Sequence, residues 1–92
     1  VSPFEVEAVI QNHNSVIEVA VVGMKDKEDL LKPKAFIVLK QGVIGDKDLE
    51  VELTKLVKGT LTPFKYPRWY EFVLSLPKTA TGKIQRYKLR KK

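Results

Sequence analysis

The segment Pro77-Lys78-Thr79-Ala80-Thr81-Gly82-Lys83 holds the residues best suited to chemistry. Gly82 opens backbone geometries closed to other residues. Lys83 follows it, outside the preceding apolar run, where a long cationic side chain can reach a partner. The hydroxyls of Thr79 and Thr81 can organise such a loop or meet an oxyanion. A phosphate-binding P-loop would need G-x-x-x-x-G-K-[ST]. Here Pro77 stands where the first glycine belongs and Ile84 where the hydroxyl belongs, so that reading fails. The chain has no cysteine, which excludes disulfides, thiolate metal sites and a cysteine nucleophile. Its one histidine, His13, has no partners suited to nucleophilic catalysis and cannot form a multi-histidine site, so no metal site is expected.

A lysine on a loop needs a rigid body behind it, and the pattern supplies one. Residues 2–14 predict a helix. Ser2 stands as cap, Pro3 in the first turn and Glu5 at the far end of a capping box. Phe4, Val6, Ala8, Val9 and Ile10 form its apolar side. Residues 15–24 are rich in β-branched types and predict a strand. KDKEDLLKPK predicts a charged loop, and AFIVLK (35–40) a second strand whose unbroken apolar run implies cover on both faces. After a turn at 42–48, with Asp46 as cap, Leu49, Leu53, Leu56, Val57 and Leu61 fall on one helical face. Thr62-Pro63 ends that helix. Residues 68–76 alternate as a third strand, with Tyr70, Phe72, Leu74 and Leu76 on one side. A short basic helix is expected at 84–91. The order helix, strand, strand, helix, strand, helix predicts an α+β domain: a sheet of about three strands with flanking helices. Residues 1–92 form a single domain, since 92 residues are too few for two.

The string PKTATGKIQR (77–86) closely resembles the last signature of the adenylate-forming enzymes. This AMP-dependent synthetase/ligase superfamily includes acyl-CoA synthetases, luciferases and peptide-synthetase adenylation domains. SPFEVEAVI (2–10), VAVVGMKD (19–26), KPKAFIVL (32–39) and FKYPRWYEFVLSLPKTATGKIQR (64–86) also resemble its C-terminal domain, in order and at the right spacing. The run from Tyr66 to Arg86 is most similar to benzoate-CoA ligases and related aromatic or medium-chain acid ligases.

The resemblance implies a mobile C-terminal domain of an acid–thiol ligase. ATP, with magnesium, and a carboxylic acid would give an acyl-adenylate, and coenzyme A would then take the acyl group. Lys83 matches the family's catalytic lysine, an electrostatic stabiliser of the first step, with Thr79, Thr81 and Gly82 supporting its loop. The glycine implies a flexible loop that docks in one state and withdraws in the other. Phe64, Tyr66 and Arg68 match the segment that meets the nucleotide end of coenzyme A, although Tyr66 stands at a position that is basic in some relatives. Packing under the helix end is the alternative for the two aromatics. Lys83 also matches a target of regulatory acetylation, which implies a lysine acetyltransferase as partner. The hinge, the ATP-binding loops and the acid pocket belong to a large N-terminal domain, the expected partner. The chain opens at a helix cap as if that domain preceded it, and alone it is expected to be inactive.

The bulk numbers set limits on rival readings. At 43% hydrophobic and 30% charged, the composition is that of a globular chain. No apolar run approaches the roughly 20 residues of a membrane-crossing helix. No secretory leader pattern opens the chain, and a cytoplasmic location fits. The net charge of +6 falls entirely in the last ten residues, KIQRYKLRKK, because residues 1–82 are formally neutral. That basic end suggests a nucleic-acid-binding module as one alternative. A non-catalytic interaction module is another, although mere interaction would not need Lys83. His13 is expected at a helix end without catalytic duty, and Trp69 in packing or at an interface.

Overall fold

The computed structural model describes residues 3–60 and 66–90. In chain order it contains α1 (Pro3–Gln11), β1 (Val16–Lys25), β2 (Leu31–Leu39), α2 (Lys47–Thr60), β3 (Trp69–Phe72) and α3 (Arg86–Leu89). The predicted order of elements is therefore the observed one. The expected capping box at Ser2, and Leu61 with the Thr62-Pro63 stop, lie outside the described residues.

The sheet has the order β1-β2-β3. β1 and β2 pair antiparallel, with Ala20 opposite Phe36 and Val21 opposite Ala35. β3 runs parallel to β2, from Lys34 opposite Trp69 to Ile37 opposite Phe72. Parallel neighbours need a long crossover connection, and α2 is that crossover. Asp46 caps it as expected: its carboxylate accepts the Leu49 N–H at 3.0 Å. Leu49, Leu53 and Val57 turn inward.

Both faces of the sheet are covered, as the unbroken run in β2 implies. On one face Val19, Val21, Ala35 and Ile37 pack with Val6, Val9 and Ile10 of α1 and with the buried stripe of α2. On the other, Ala20, Val22, Phe36 and Val38 pack with Leu76 and Leu89. Along β2, and along β1 beyond the irregularity at Val16–Glu18, odd and even positions thus feed different cores, as a two-residue period requires.

Three expectations need correction. β2 begins at Leu31, so the predicted loop is shorter and Pro33 lies inside a strand, opposite Gly23. Pro33 is tolerated there because it sits just beyond the β2–β3 ladder. Its carbonyl still accepts the Arg68 N–H at 2.8 Å. β3 spans four residues rather than nine. Its alternation does not continue: Tyr70 and Phe72 pack against the first core, Leu76 enters the second, and Leu74 is 99% exposed. On α1, Phe4 and Ala8 stay on the exposed side while Val6, Val9 and Ile10 are buried.

Candidate functional site

After β3 the chain seats Leu76 in the second core, turns through residues 77–85, and seats Leu89 in the same core. Between those anchors stands a narrow hairpin. Lys78 and Ile84 form an antiparallel bridge. The Thr79 N–H donates to the Lys83 carbonyl at 2.9 Å, and the Gln85 N–H to the Pro77 carbonyl at 2.8 Å. The tip is Ala80-Thr81-Gly82. The Gly82 N–H donates back to the Thr79 carbonyl at 3.0 Å, and Gly82 has φ of 87°. This is a three-residue hairpin loop, a β-turn closed by a residue in the left-handed region.

Thr79 grips Lys83 twice. Its N–H bonds the Lys83 carbonyl, and its Oγ1 accepts the Lys83 N–H at 3.1 Å. Thr79 Oγ1 also lies 3.0 Å from Thr81 Oγ1. The threonines therefore organise the loop, one of the two roles open to them in the sequence. Gly82 supplies the conformation that closes a tight turn, where the sequence suggested a loosener. Lys83 is exposed, and among the described residues no carboxylate or hydrogen-bond acceptor engages its ammonium.

The feet of the hairpin are bound to the body. Lys78 pairs with Glu18 of β1. Arg86 forks onto Glu7 of α1, with Nε to Oε2 at 2.9 Å and Nη2 to Oε1 at 2.5 Å. The guanidinium also lies 4.7 Å from the centroid of the Phe4 ring. Glu7 Oε2 further accepts the Val21 N–H at 2.9 Å, on the open edge of the sheet. Sequence reasoning did not find Glu7 or Glu18. No local pattern links Glu7 to an arginine 79 positions away.

The candidate coenzyme segment lies apart from the hairpin in the chain. Phe64 falls outside the described residues. Tyr66 is half-buried beneath Lys58, whose Nζ is 4.4 Å from the ring centroid. Arg68 is exposed. Tyr66 and Arg68 line one side of a groove of about 340 Å³, and Lys47, Lys55 and Lys58 of α2, with one carboxylate, Glu50, among them, line the other. At its base the Tyr70 hydroxyl lies 2.8 Å from Thr54 Oγ1, and burial pushes the Tyr70 phenol above its ordinary value. An aromatic ring and several cations in one groove suit a phosphorylated nucleotide.

The charges of Arg68 and Lys32 also reach Asp26 in the β1–β2 turn. The Leu30 N–H, foremost, and then the Glu28 N–H and those cations hold Asp26 below the usual carboxylate range. Trp69 is half-buried beside Lys25 and Lys34. His13 ties α1 to α2: Nδ1 accepts the Ser15 N–H at 3.0 Å and Nε2 meets Glu52. Among the described residues no group of three or more His, Cys, Asp or Glu side chains could hold a metal ion. Nor does any buried side-chain polar atom there lack a partner.

Residues 5–83 match the model of the AMP-binding enzyme C-terminal domain. The chain belongs to that family. Similar to this AMP-binding enzyme C-terminal domain is part of the benzoate–CoA ligase of Thauera aromatica, 59% identical over 90 residues, which are 98% of this chain and 17% of the relative. Among solved structures, a benzoate CoA ligase from Burkholderia xenovorans LB400 superposes with a TM-score of 0.90 at 54% identity, over 98% of this chain and 18% of that one. An acyl-CoA synthetase of Brucella canis gives 0.93 at 45% identity, over 99% and 17%. The chain thus spans about a sixth of the length of the relatives it matches. The three-stranded α+β fold is the one found in acyl-CoA synthetases. The matches give no support to a nucleic-acid-binding or non-catalytic interaction module.

Proposed function

We propose that this domain serves an AMP-forming acid–CoA ligase, with an aromatic acid of the benzoate type as substrate, and that Lys83 is its catalytic residue. In the first half-reaction a carboxylate oxygen bonds the α-phosphorus of ATP and the bond to the pyrophosphate oxygen breaks. Two anions must meet, and negative charge concentrates as they do. An ammonium held at the meeting point offsets both costs. The observation that carries this reading is the Lys83 side chain, unpaired among the described residues, on a backbone fixed at both its N–H and its carbonyl by Thr79. In the second half-reaction the thiol of coenzyme A bonds the acyl carbon, and AMP leaves as the C–O bond breaks. The cationic groove beside Tyr66 and Arg68 supports a role for Phe64, Tyr66 and Arg68 at the nucleotide end of coenzyme A. ATP and magnesium would be held mainly by the N-terminal domain. Acetylation of Lys83 by a lysine acetyltransferase would neutralise the charge and switch off the first step.

The test is Lys83→Ala in the full-length ligase, with the half-reactions assayed separately. Acyl-adenylate formation, read as pyrophosphate release, should fall about 100- to 1000-fold, the usual cost of removing one such donor. Thioester formation from preformed acyl-adenylate should persist. Equal loss in both half-reactions would remove the assigned role.

A further inference from the structure

We infer that Glu7 and Glu18 are positioning residues for adenylation: two carboxylates on the sheet's edge side that pin the feet of the Lys83 hairpin. The inference rests on Lys83 being the catalytic group. One foot begins with Lys78, paired to Glu18 on β1. The other ends in Arg86, forked onto Glu7 on α1. The two pins differ in strength. The Lys78–Glu18 pair is partly exposed, at 38% and 29% of the side-chain surface. The Arg86–Glu7 pair is largely shielded, at 25% and 13%, and it is bidentate. A planar fork fixes orientation as well as distance, which a single ammonium contact cannot do.

Glu7 has a second task that makes the link rigid. The same Oε2 that takes Arg86 Nε accepts the Val21 N–H. Helix α1, the edge strand and the far foot of the hairpin therefore meet at one carboxylate. Leu76 and Leu89 bury the outer flanks of the hairpin, but apolar contact alone leaves a narrow two-stranded loop free to tilt. The ion pairs resist that tilt. A tilt matters because an ångström of misplacement at a reacting group can cost up to about a hundredfold in rate. Neither carboxylate needs to touch substrate.

The experiment compares Glu7→Gln, Arg86→Lys, Glu18→Gln and Lys83→Ala in the full-length ligase, each half-reaction measured alone. Glu7→Gln keeps the side chain's shape and removes its charge. It should slow adenylation about tenfold through kcat, with the KM for ATP and for the acid unchanged. Arg86→Lys should retain part of the rate, because it keeps the charge and loses the fork. Glu18→Gln, at a partly exposed pair that folding can spare, should slow adenylation about two- to threefold. Thioester formation from preformed acyl-adenylate should be unchanged in all three. Amide hydrogen exchange in the 77–86 peptide should rise in Glu7→Gln and in Glu18→Gln. If both half-reactions fall together in the glutamate variants, or if adenylation survives both glutamate changes while Lys83→Ala selectively loses it, the positioning role is overturned and Lys83 stands. If Lys83→Ala itself adenylates normally, the reading of Lys83 fails, and the positioning role falls with it.

Discussion

At the scale of single residues, a comparison of two of the exposed glycines, Gly82 and Gly59, separates backbone need from mere composition. A Cβ built on either meets nothing within 4 Å, so space does not distinguish them. Gly82 has φ of 87°, where an L side chain crowds its own carbonyl, whereas Gly59 lies in the last turn of α2. Gly82→Ala should therefore destabilise by about 1–2 kcal/mol. Gly59→Ala should stabilise by up to about 1 kcal/mol, because it narrows the unfolded ensemble and favours helix. Thermal melts of the two variants should move in opposite directions. A shift of the same sign in both would mean that the turn at Gly82 does not need its left-handed backbone. The candidate site at this scale was partly legible in the sequence. Lys83, Gly82 and the two threonines lie in one continuous string, so their association can be read directly. Glu7 could not be read as a partner of Arg86, because folding creates that contact.

At the scale of elements, periodicity revealed what local burial dictates and missed what the ladder decides. The stripe Leu49, Leu53, Val57 announced α2, and the apolar run at 35–39 announced a strand covered on both faces. The length of β3 could not be read this way. Alternation at 70, 72, 74 and 76 suggests one continuous face, but parallel pairing with β2 ends at Phe72 and the chain then crosses to the other side of the sheet. Pro33 was equally misleading, because its position relative to the β3 ladder, rather than its residue type, decides whether a strand can hold it. The contrast between two leucines tests this account. Leu53 is fully buried, and Leu74 is 99% exposed despite its place in the alternating pattern. Leu53→Ala should cost about 2–5 kcal/mol in urea denaturation, from lost burial and the cavity left behind. Leu74→Ser should change stability by no more than about 0.5 kcal/mol. A large loss at Leu74 would mean that the third strand continues past Phe72.

At the scale of the whole molecule, the net charge of +6 resolves into unlike parts. The sequence places the whole excess in residues 83–92. The structure spends one of those six cations internally, because Arg86 is taken by Glu7. Lys83 is exposed on the hairpin, Lys88 on the four-residue helix α3 and Arg90 at the C-cap of that helix. A polyanion could therefore engage at most five cations of this segment. For single-stranded nucleic acid each neutralised phosphate contributes about −0.7 to the slope of log K against log salt, so the slope for generic RNA should be no steeper than about −3.5. Binding of that kind should vanish near physiological ionic strength. A ligand such as coenzyme A makes a different demand: a compact groove with an aromatic and a few cations, as Tyr66, Arg68 and the lysines of α2 provide. The salt titration separates the two kinds of partner. A steeper slope, or RNA binding that survives physiological salt, would require a broader cationic surface and would revive the nucleic-acid reading. A shallow slope, with binding lost, leaves the basic end without a polyanion-binding role, in keeping with the part proposed for Lys83 at a single reacting phosphate.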